Sequence, residues 1–262
     1  MFARRSPILL LALVITAILQ AQSVVQAPQA QPDSSKRAWS IFTEYSPGSS
    51  HIILGVARER EFVTVGAGFT QRLFQNSVWS LGYRAEVRPL MVESDPVQTG
   101  QYYNINLPPI GSFPGQQESG YYRLPHEMPV LSTGLRSVNH TFTYKGQTYF
   151  QDYTFTYGRR WTYVAGLSPA GLQAKFLPRS RIQPVFTLMT GFTISTRDVP
   201  VFDSSAFNFT FSFGAGFDFL ERPKHSMRLE YRIQHLSNAY LGTGIDPGID
   251  SQIVHVGYSW GR

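Results

Sequence analysis

The residues with the clearest chemical potential lie near the C-terminus, in a segment at 227–237 where apolar and polar side chains alternate. Successive side chains of a strand point to opposite faces, so this segment would have two distinct surfaces. One surface is mainly charged, and the other is apolar and ends in His235 and Ser237. A histidine can activate a serine, whose hydroxyl alone is a poor nucleophile at neutral pH. This pair therefore suits hydrolysis of a substrate in an apolar phase, such as a lipid.

Asp250 is the candidate for the acid that such a base needs to fix its tautomer. The apolar residues that follow it at alternate positions place Asp250 on the same outer surface, and the loop at 238–249 would return it beside His235. Strand geometry puts the β-carbons of His235 and Ser237 about 6.5 Å apart, so a small bend would join them. Two plainer interpretations remain open. His235 and Ser237 could be interfacial polar residues, and Asp250 could be a simple turn residue after Pro247 and Gly248.

Alternation with a period of two runs through most of the chain and predicts an all-β protein. Eight is the smallest usual even number of strands for an outer-membrane barrel. The predicted strands cover 38–45, 62–74, 78–90, 161–175, 183–195, 206–219, 226–237 and 250–260.

The polar faces of these strands favour a barrel in a membrane. They mix both signs of charge, as in Arg84, Glu86 and Arg88, whereas the apolar faces carry many large aromatic side chains. An outer-membrane barrel turns its apolar face to lipid and its polar face inward. We therefore predict an eight-stranded antiparallel up-and-down transmembrane β-barrel with a long external insertion. A soluble periplasmic β-barrel that binds a lipid inside is the weaker alternative.

The chain has 262 residues, a formal net charge of +6 and no cysteine. We predict a signal peptide at 1–21, a flexible lead-in at 22–37 and the barrel at 38–262, with the insertion at 91–160 carrying a projecting hairpin. The site would then lie at the external end of its strand. The sequence contains no run of basic residues that would indicate nucleic-acid binding, and its histidines do not have the spacing of a metal site. The absence of cysteine excludes thiol catalysis.

The end of the chain resembles the lipid A 3-O-deacylase family, which is PagL-type and often labelled acyloxyacyl hydrolase. The matching residues are the motif His235-x-Ser237-Asn238-Ala239 and the turn at 247–251, with a looser likeness over 172–260 and 62–90. The resemblance implies an eight-stranded outer-membrane barrel that removes an ester-linked acyl chain from lipid A of lipopolysaccharide, without a cofactor. It also implies a triad on the lipid-facing wall, with Ser237 as nucleophile, His235 as base and Asp250 as acid.

This chain departs from the family pattern at two positions. Asp250 stands where many members carry the longer glutamate, and Asp246 stands where an asparagine is often linked to the oxyanion hole. Because a carboxylate would repel an oxyanion, Asp246 must point away, or backbone N–H groups at 242–248, including Gly248, must serve instead. Asn238 is expected to shape the site. The alternative function is a structural or binding barrel without activity, and either form could be a homodimer.

Overall fold

The computed structural model describes residues 36–222, 224–241 and 245–261, so the predicted signal peptide and most of the lead-in lie outside the described residues. No helix of the described chain is long and apolar enough to cross a membrane. The described residues form ten strands: β1 (Arg37–Ser46), β2 (Glu61–Gln75), β3 (Trp79–Leu107), β4 (Gln116–Pro129), β5 (Ser137–Tyr144), β6 (Gln147–Phe176), β7 (Ile182–Val199), β8 (Ser205–Arg222), β9 (His225–Ser237) and β10 (Ile249–Gly261).

Eight of these strands close into a ring. Strands β3, β2, β1, β10, β9, β8, β7 and β6 are neighbours in that order, and β3 also pairs with β6. Every pairing in the ring is antiparallel and joins strands that follow one another along the barrel wall. The predicted eight-stranded all-β architecture is therefore confirmed.

The faces of the barrel wall are arranged as the alternation predicted. Apolar side chains such as Ile41, Val65 and Leu229 are half exposed on the outer surface, whereas Arg84, Glu86 and their neighbours are almost completely buried inside. Water would penalise so large an outer apolar surface, and lipid would not. Apolar side chains outside and charged side chains inside are the reverse of a soluble protein and are typical of outer-membrane barrels.

A network of ion pairs fills the middle of the lumen. Arg232 contacts Glu44 at 2.9 Å, Glu86 at 3.0 Å and Glu230 at 3.0 Å. Arg88 joins the same network through Glu44 at 2.9 Å and Glu86 at 2.6 Å. Buried charges are costly unless they are paired. The arginine and glutamate side chains of the lumen therefore stabilise the interior only together, because each neutralises the others.

The insertion at 91–160 is a continuation of the sheet, and the predicted strand ends at 90 and 161 are wrong. Strands β3 and β6 run on beyond the ring and stay paired as far as Asn106 and Phe150. Strand β4 pairs with the extension of β3, and β5 pairs with that of β6 as the predicted hairpin. We call the four-stranded unit β4–β3–β6–β5 the projecting sheet. The outer strands β4 and β5 are largely exposed on both faces, whereas β3 stays mostly buried as far as Gly100, so this sheet lacks the one-sided alternation of a barrel wall.

One end of the barrel carries both the projecting sheet and the predicted site. Strand β9 ends there at Ser237, and β10 begins there at Ile249. We call it the site end. A cluster of buried apolar residues lies at this end of the barrel and consists of Ala57, Phe62, Met91, Val164, Val199, Leu236 and Ile249.

Candidate active site

His235 and Asp250 face each other across the β9–β10 ladder. They are direct partners in the antiparallel register, so their side chains lie on the same face of the sheet. His235 Nδ1 is 2.6 Å from Asp250 Oδ1, and the carboxylate is completely buried whereas the imidazole keeps 17% exposure. Because the carboxylate accepts from Nδ1–H, Nε2 is the nitrogen left to act as a base.

The loop at 50–57 holds the other oxygen of Asp250. Asp250 Oδ2 accepts hydrogen bonds from the backbone N–H groups of Ile52 at 2.9 Å, Ile53 at 2.5 Å and Gly55 at 2.9 Å. The sequence does not indicate this contact, because backbone donors in a distant loop leave no side-chain pattern. With the imidazole, these donors fix both oxygens of the carboxylate, so its orientation is set before any substrate binds.

Glycines allow this loop to lie directly on the start of β10. A β-carbon at Gly55 would be 2.5 Å from the Asp250 nitrogen and 2.7 Å from the Ile249 carbonyl carbon. Gly248 has a φ of +56°, and a β-carbon there would be 3.1 Å from Cε1 of His235. Both positions therefore require glycine, and the predicted site-shaping residue Gly248 lies against the imidazole.

Ser237 shares the outer face with His235, but its hydroxyl has a different partner. Ser237 Oγ donates to Asp246 Oδ2 at 2.5 Å and accepts from the Ala239 N–H at 3.2 Å. Within the described chain, Ser237 makes no hydrogen bond to His235. The structure thus brings His235 and Asp250 together and leaves the serine hydroxyl turned toward the following loop.

Asp246 does not point away from the site, so the first of the two expected arrangements is wrong. Its Oδ1 accepts the backbone N–H of Asn238 at 3.2 Å while Oδ2 accepts from Ser237. Donors immediately after β9 attract the carboxylate, since hydrogen bonds to an ionised acceptor are the stronger ones. The predicted use of backbone N–H groups as an oxyanion hole stays a prediction, and part of that segment, 242–244, lies outside the described residues.

Asn238 is buried beneath this loop with 1% exposure. Its Nδ2 donates to the Ile245 carbonyl at 3.1 Å, and its Oδ1 accepts the Tyr240 N–H at 2.9 Å. Tyr240 has a left-handed φ of 59°, which is uncommon for a residue with a side chain. Asn238 therefore ties both sides of the turn together and supports the segment from which Asp246 reaches Ser237.

The surroundings of the pair are apolar. Phe211 lies opposite His235 and Phe209 lies opposite Ser237 on β8, and both rings are exposed on the outer wall. Tyr231, which precedes His235 by four residues on β9, is 49% exposed on the same face. The described residues contain no group of three or more His, Cys, Asp or Glu side chains that could hold a metal ion.

Residues 131–259 match the family model for lipid A 3-O-deacylase (PagL). This match confirms the resemblance read from the sequence, and it includes His235, Ser237 and Asp250. No curated protein matches the chain significantly. With the apolar outer wall of the barrel, the family match places the protein in the outer membrane of a Gram-negative-type bacterium, as predicted.

Several solved structures are similar to most of the chain at low identity. Neisserial surface protein A (NspA) is 11% identical, with 87% of this chain and 98% of that chain covered and a TM-score of 0.40. The outer membrane protein OprG from Pseudomonas aeruginosa is 11% identical, with 91% and 100% covered and a TM-score of 0.36. Ail of Yersinia pestis is 9% identical, with 86% and 99% covered and a TM-score of 0.34. Likenesses this distant indicate neither substrate nor mechanism.

Proposed function

We propose that this protein is a serine esterase that removes an ester-linked acyl chain from lipid A of lipopolysaccharide. The observation that carries the proposal is the His235–Asp250 pair on the outer wall beside Ser237, within the segment matched by the deacylase family. A base and a hydroxyl on this surface meet an acyl chain where it already lies, in the bilayer. The 3-O position is the bond that the family description favours.

The reaction would proceed through an acyl-enzyme. Ser237 Oγ attacks the ester carbonyl carbon while His235 Nε2 takes the hydroxyl proton, and Asp250 stabilises the imidazolium. The C–O bond to the sugar then breaks, and the imidazolium returns the proton to the departing sugar oxygen. Water attacks the acyl-serine with His235 again as base, which releases the fatty acid and restores Ser237.

The Ser237 hydroxyl must break its hydrogen bond to Asp246 before it can transfer its proton to His235. Its present hydrogen bond to Asp246 directs the hydroxyl into the loop, whereas the base lies two residues back along the same face. Rotation about one side-chain bond moves the hydroxyl between staggered positions. Asp246 therefore competes with His235 for the serine proton, and the resting state favours Asp246.

The proposal is tested by producing the barrel in a Gram-negative host whose lipid A keeps all its acyl chains. Mass spectrometry of lipid A should show loss of one acyl chain with the wild type and no loss with Ser237→Ala. Ser77→Ala, in an exposed turn at the other end of the barrel, should behave as wild type. Intact lipid A with a folded wild-type barrel would favour the non-catalytic alternative, and equal deacylation by Ser237→Ala would exclude this nucleophile.

Asp246→Asn should increase the rate at which the Ser237 hydroxyl reacts by about tenfold, because replacing a charge-assisted hydrogen bond by a neutral one weakens the hold on the hydroxyl by about 1.4 kcal/mol. The measurement is the rate of covalent labelling by a fluorophosphonate probe in detergent micelles. Asp203→Asn, in an exposed loop at the site end, is the matched control and should leave the rate unchanged. A slower reaction of Asp246→Asn would mean that the Asp246 carboxylate assists the serine.

A further inference from the structure

A row of aromatic side chains follows the outer side of β6 from the barrel wall into the projecting sheet. Tyr163 and Trp161 are 45% and 59% exposed on the lipid-facing wall, and every second residue from there towards Tyr149 lies on the same side. The register shift at Gln98 and Gly100 adds its extra residue to β3, so β6 itself stays regular. Six of the eight positions in the row are aromatic: Tyr163, Trp161, Tyr157, Phe155, Tyr153 and Tyr149.

The neighbouring strands widen this row into one face of the projecting sheet. Residues directly opposite each other in an antiparallel ladder share a face. Tyr103 of β3 accordingly lies beside Tyr153, and Phe142 of β5 stacks on Tyr149 with ring centroids 5.9 Å apart. We call this surface the aromatic face, and it consists of Tyr103, Tyr122, Phe142, Tyr149, Tyr153 and Phe155.

The opposite face of the same sheet is mainly small and polar. Its side of β6 carries threonine at four of the eight even positions from 148 to 162, and Asn104 and Asn139 lie on either side of Asp152. Its rings include the stacked pair Tyr102 and Tyr121. Because β4 and β5 are exposed on both faces, folding alone does not require the rings to gather on one of them. The asymmetry therefore indicates a contact that only the aromatic face makes.

Arg159 marks the point at which the row leaves the hydrocarbon. It lies between Trp161 and Tyr157 in the row and pairs with Glu61 at 3.3 Å, and both charged side chains are more than a third exposed. Charged side chains avoid hydrocarbon, whereas tryptophan and tyrosine gather at its edge, so Trp161 and Tyr163 lie at the membrane interface. The aromatic face lies beyond Arg159 and has a neighbour other than acyl chains.

The connections between strands indicate which side of the membrane this is. Short connections at 76–78, 177–181 and 223–224 lie at the end opposite the site end, whereas the site end carries the longer loops at 47–60 and 238–248 and the projecting sheet. Outer-membrane barrels have short periplasmic turns and long external loops. The projecting sheet therefore extends into the sugar layer that the outer leaflet carries. A glycolipid with acyl chains against the wall has its sugars beside the aromatic face.

We propose that the aromatic face binds the saccharide part of lipopolysaccharide. The C–H faces of sugar rings are apolar and stack on aromatic rings, and tyrosine hydroxyls and amide groups bind sugar hydroxyls. Gln101 and Gln151 supply such amides on the same side of the sheet as the rings. Strand β6 is three strands from β9 around the ring, so this surface is separate from the proposed active site and requires no hydrolysis.

The test is a titration of the folded full-length barrel in non-ionic micelles with the oligosaccharide that mild acid releases from rough lipopolysaccharide. Line broadening in the NMR spectrum of the oligosaccharide measures binding, for which we expect a Kd on the order of 1 mM. Tyr122→Ala with Tyr153→Ala should weaken binding about tenfold, because two aromatic contacts are lost. Tyr102→Ala with Tyr121→Ala removes two rings from the opposite face and should bind as wild type. Absence of binding by the wild type, or an equal effect of the two double variants, would overturn the proposal.

Two other neighbours of the aromatic face would give different results. A second copy of the chain would appear in sedimentation as a dimer that Tyr122→Ala with Tyr153→Ala converts to a monomer. Hydrocarbon would appear as quenching of Phe155→Trp fluorescence by brominated phospholipid in the micelle, beyond the quenching of the wild type. Either result would assign the face to that neighbour and contradict the saccharide site. The gel mobility of unheated protein checks the fold of each variant.

Discussion

Asp250→Asn should lower the rate of lipid A deacylation by about four orders of magnitude, the size of effect expected when a base is held in the wrong tautomer. Three backbone N–H groups of the loop at 50–57 bind one oxygen of this side chain. In the variant they select the amide oxygen, which turns the amide –NH2 toward His235. Nδ1 would then have to accept a hydrogen bond, so the proton would lie on Nε2 and His235 could not take the proton of Ser237.

The measurement is single-turnover deacylation of purified lipid A in mixed micelles, with the gel mobility of unheated protein as the check on folding. Asp152→Asn makes the same chemical change on the projecting sheet and should retain full activity. An Asp250→Asn rate within tenfold of the wild type would show that the acid does not orient the base.

Glu86→Gln should destabilise the barrel by about 3–5 kcal/mol, the usual cost of breaking a buried ion pair by removing one charge. Glu86 contacts three guanidinium groups, those of Arg84 at 2.6 Å, Arg88 at 2.6 Å and Arg232 at 3.0 Å. The amide keeps the shape of the side chain but leaves these cations with one carboxylate fewer. The lumen gives them no water-rich surface to turn toward, since all three are almost completely buried.

Urea unfolding in micelles, followed by tryptophan fluorescence, gives this free energy. Glu118→Gln on the projecting sheet is the matched control, because Glu118 is exposed and forms no ion pair within the described residues, so loss of its charge should leave the unfolding midpoint unchanged. A destabilisation of Glu86→Gln below about 1 kcal/mol would mean that the remaining carboxylates of the network compensate for it.

The parts of the fold that could be predicted from the sequence are those where one face of a strand meets lipid and the other meets the lumen. The segment 227–237 shows this clearly, and its alternation also placed His235 and Ser237 on the outer wall. The pairing of His235 with Asp250 was predictable because a single loop connects the end of β9 to the start of β10. In each case a local pattern determines which way a side chain points.

Other features depend on contacts that no local pattern encodes. The edge strands β4 and β5 of the projecting sheet are solvated on both faces, and β3 is buried at every position from 93 to 98, so none of them shows the alternation of the barrel wall although all are strands. The clamp on Asp250 comes from peptide groups almost two hundred residues earlier in the chain. The direction of Asp246 follows from the donors that happen to lie after β9, which sequence spacing left open between two arrangements.

The use of main-chain donors at residues 52–55 has a consequence for how barrels with this element diverge. Every residue except proline supplies the same N–H group, so Ile52 and Ile53 are free to change identity without altering the hydrogen bonds to Asp250. Homologues could thus share this structural element while showing no common amino acids there apart from a glycine at position 55. Searches based on side-chain identity would overlook it, and superposition of backbones would recover it.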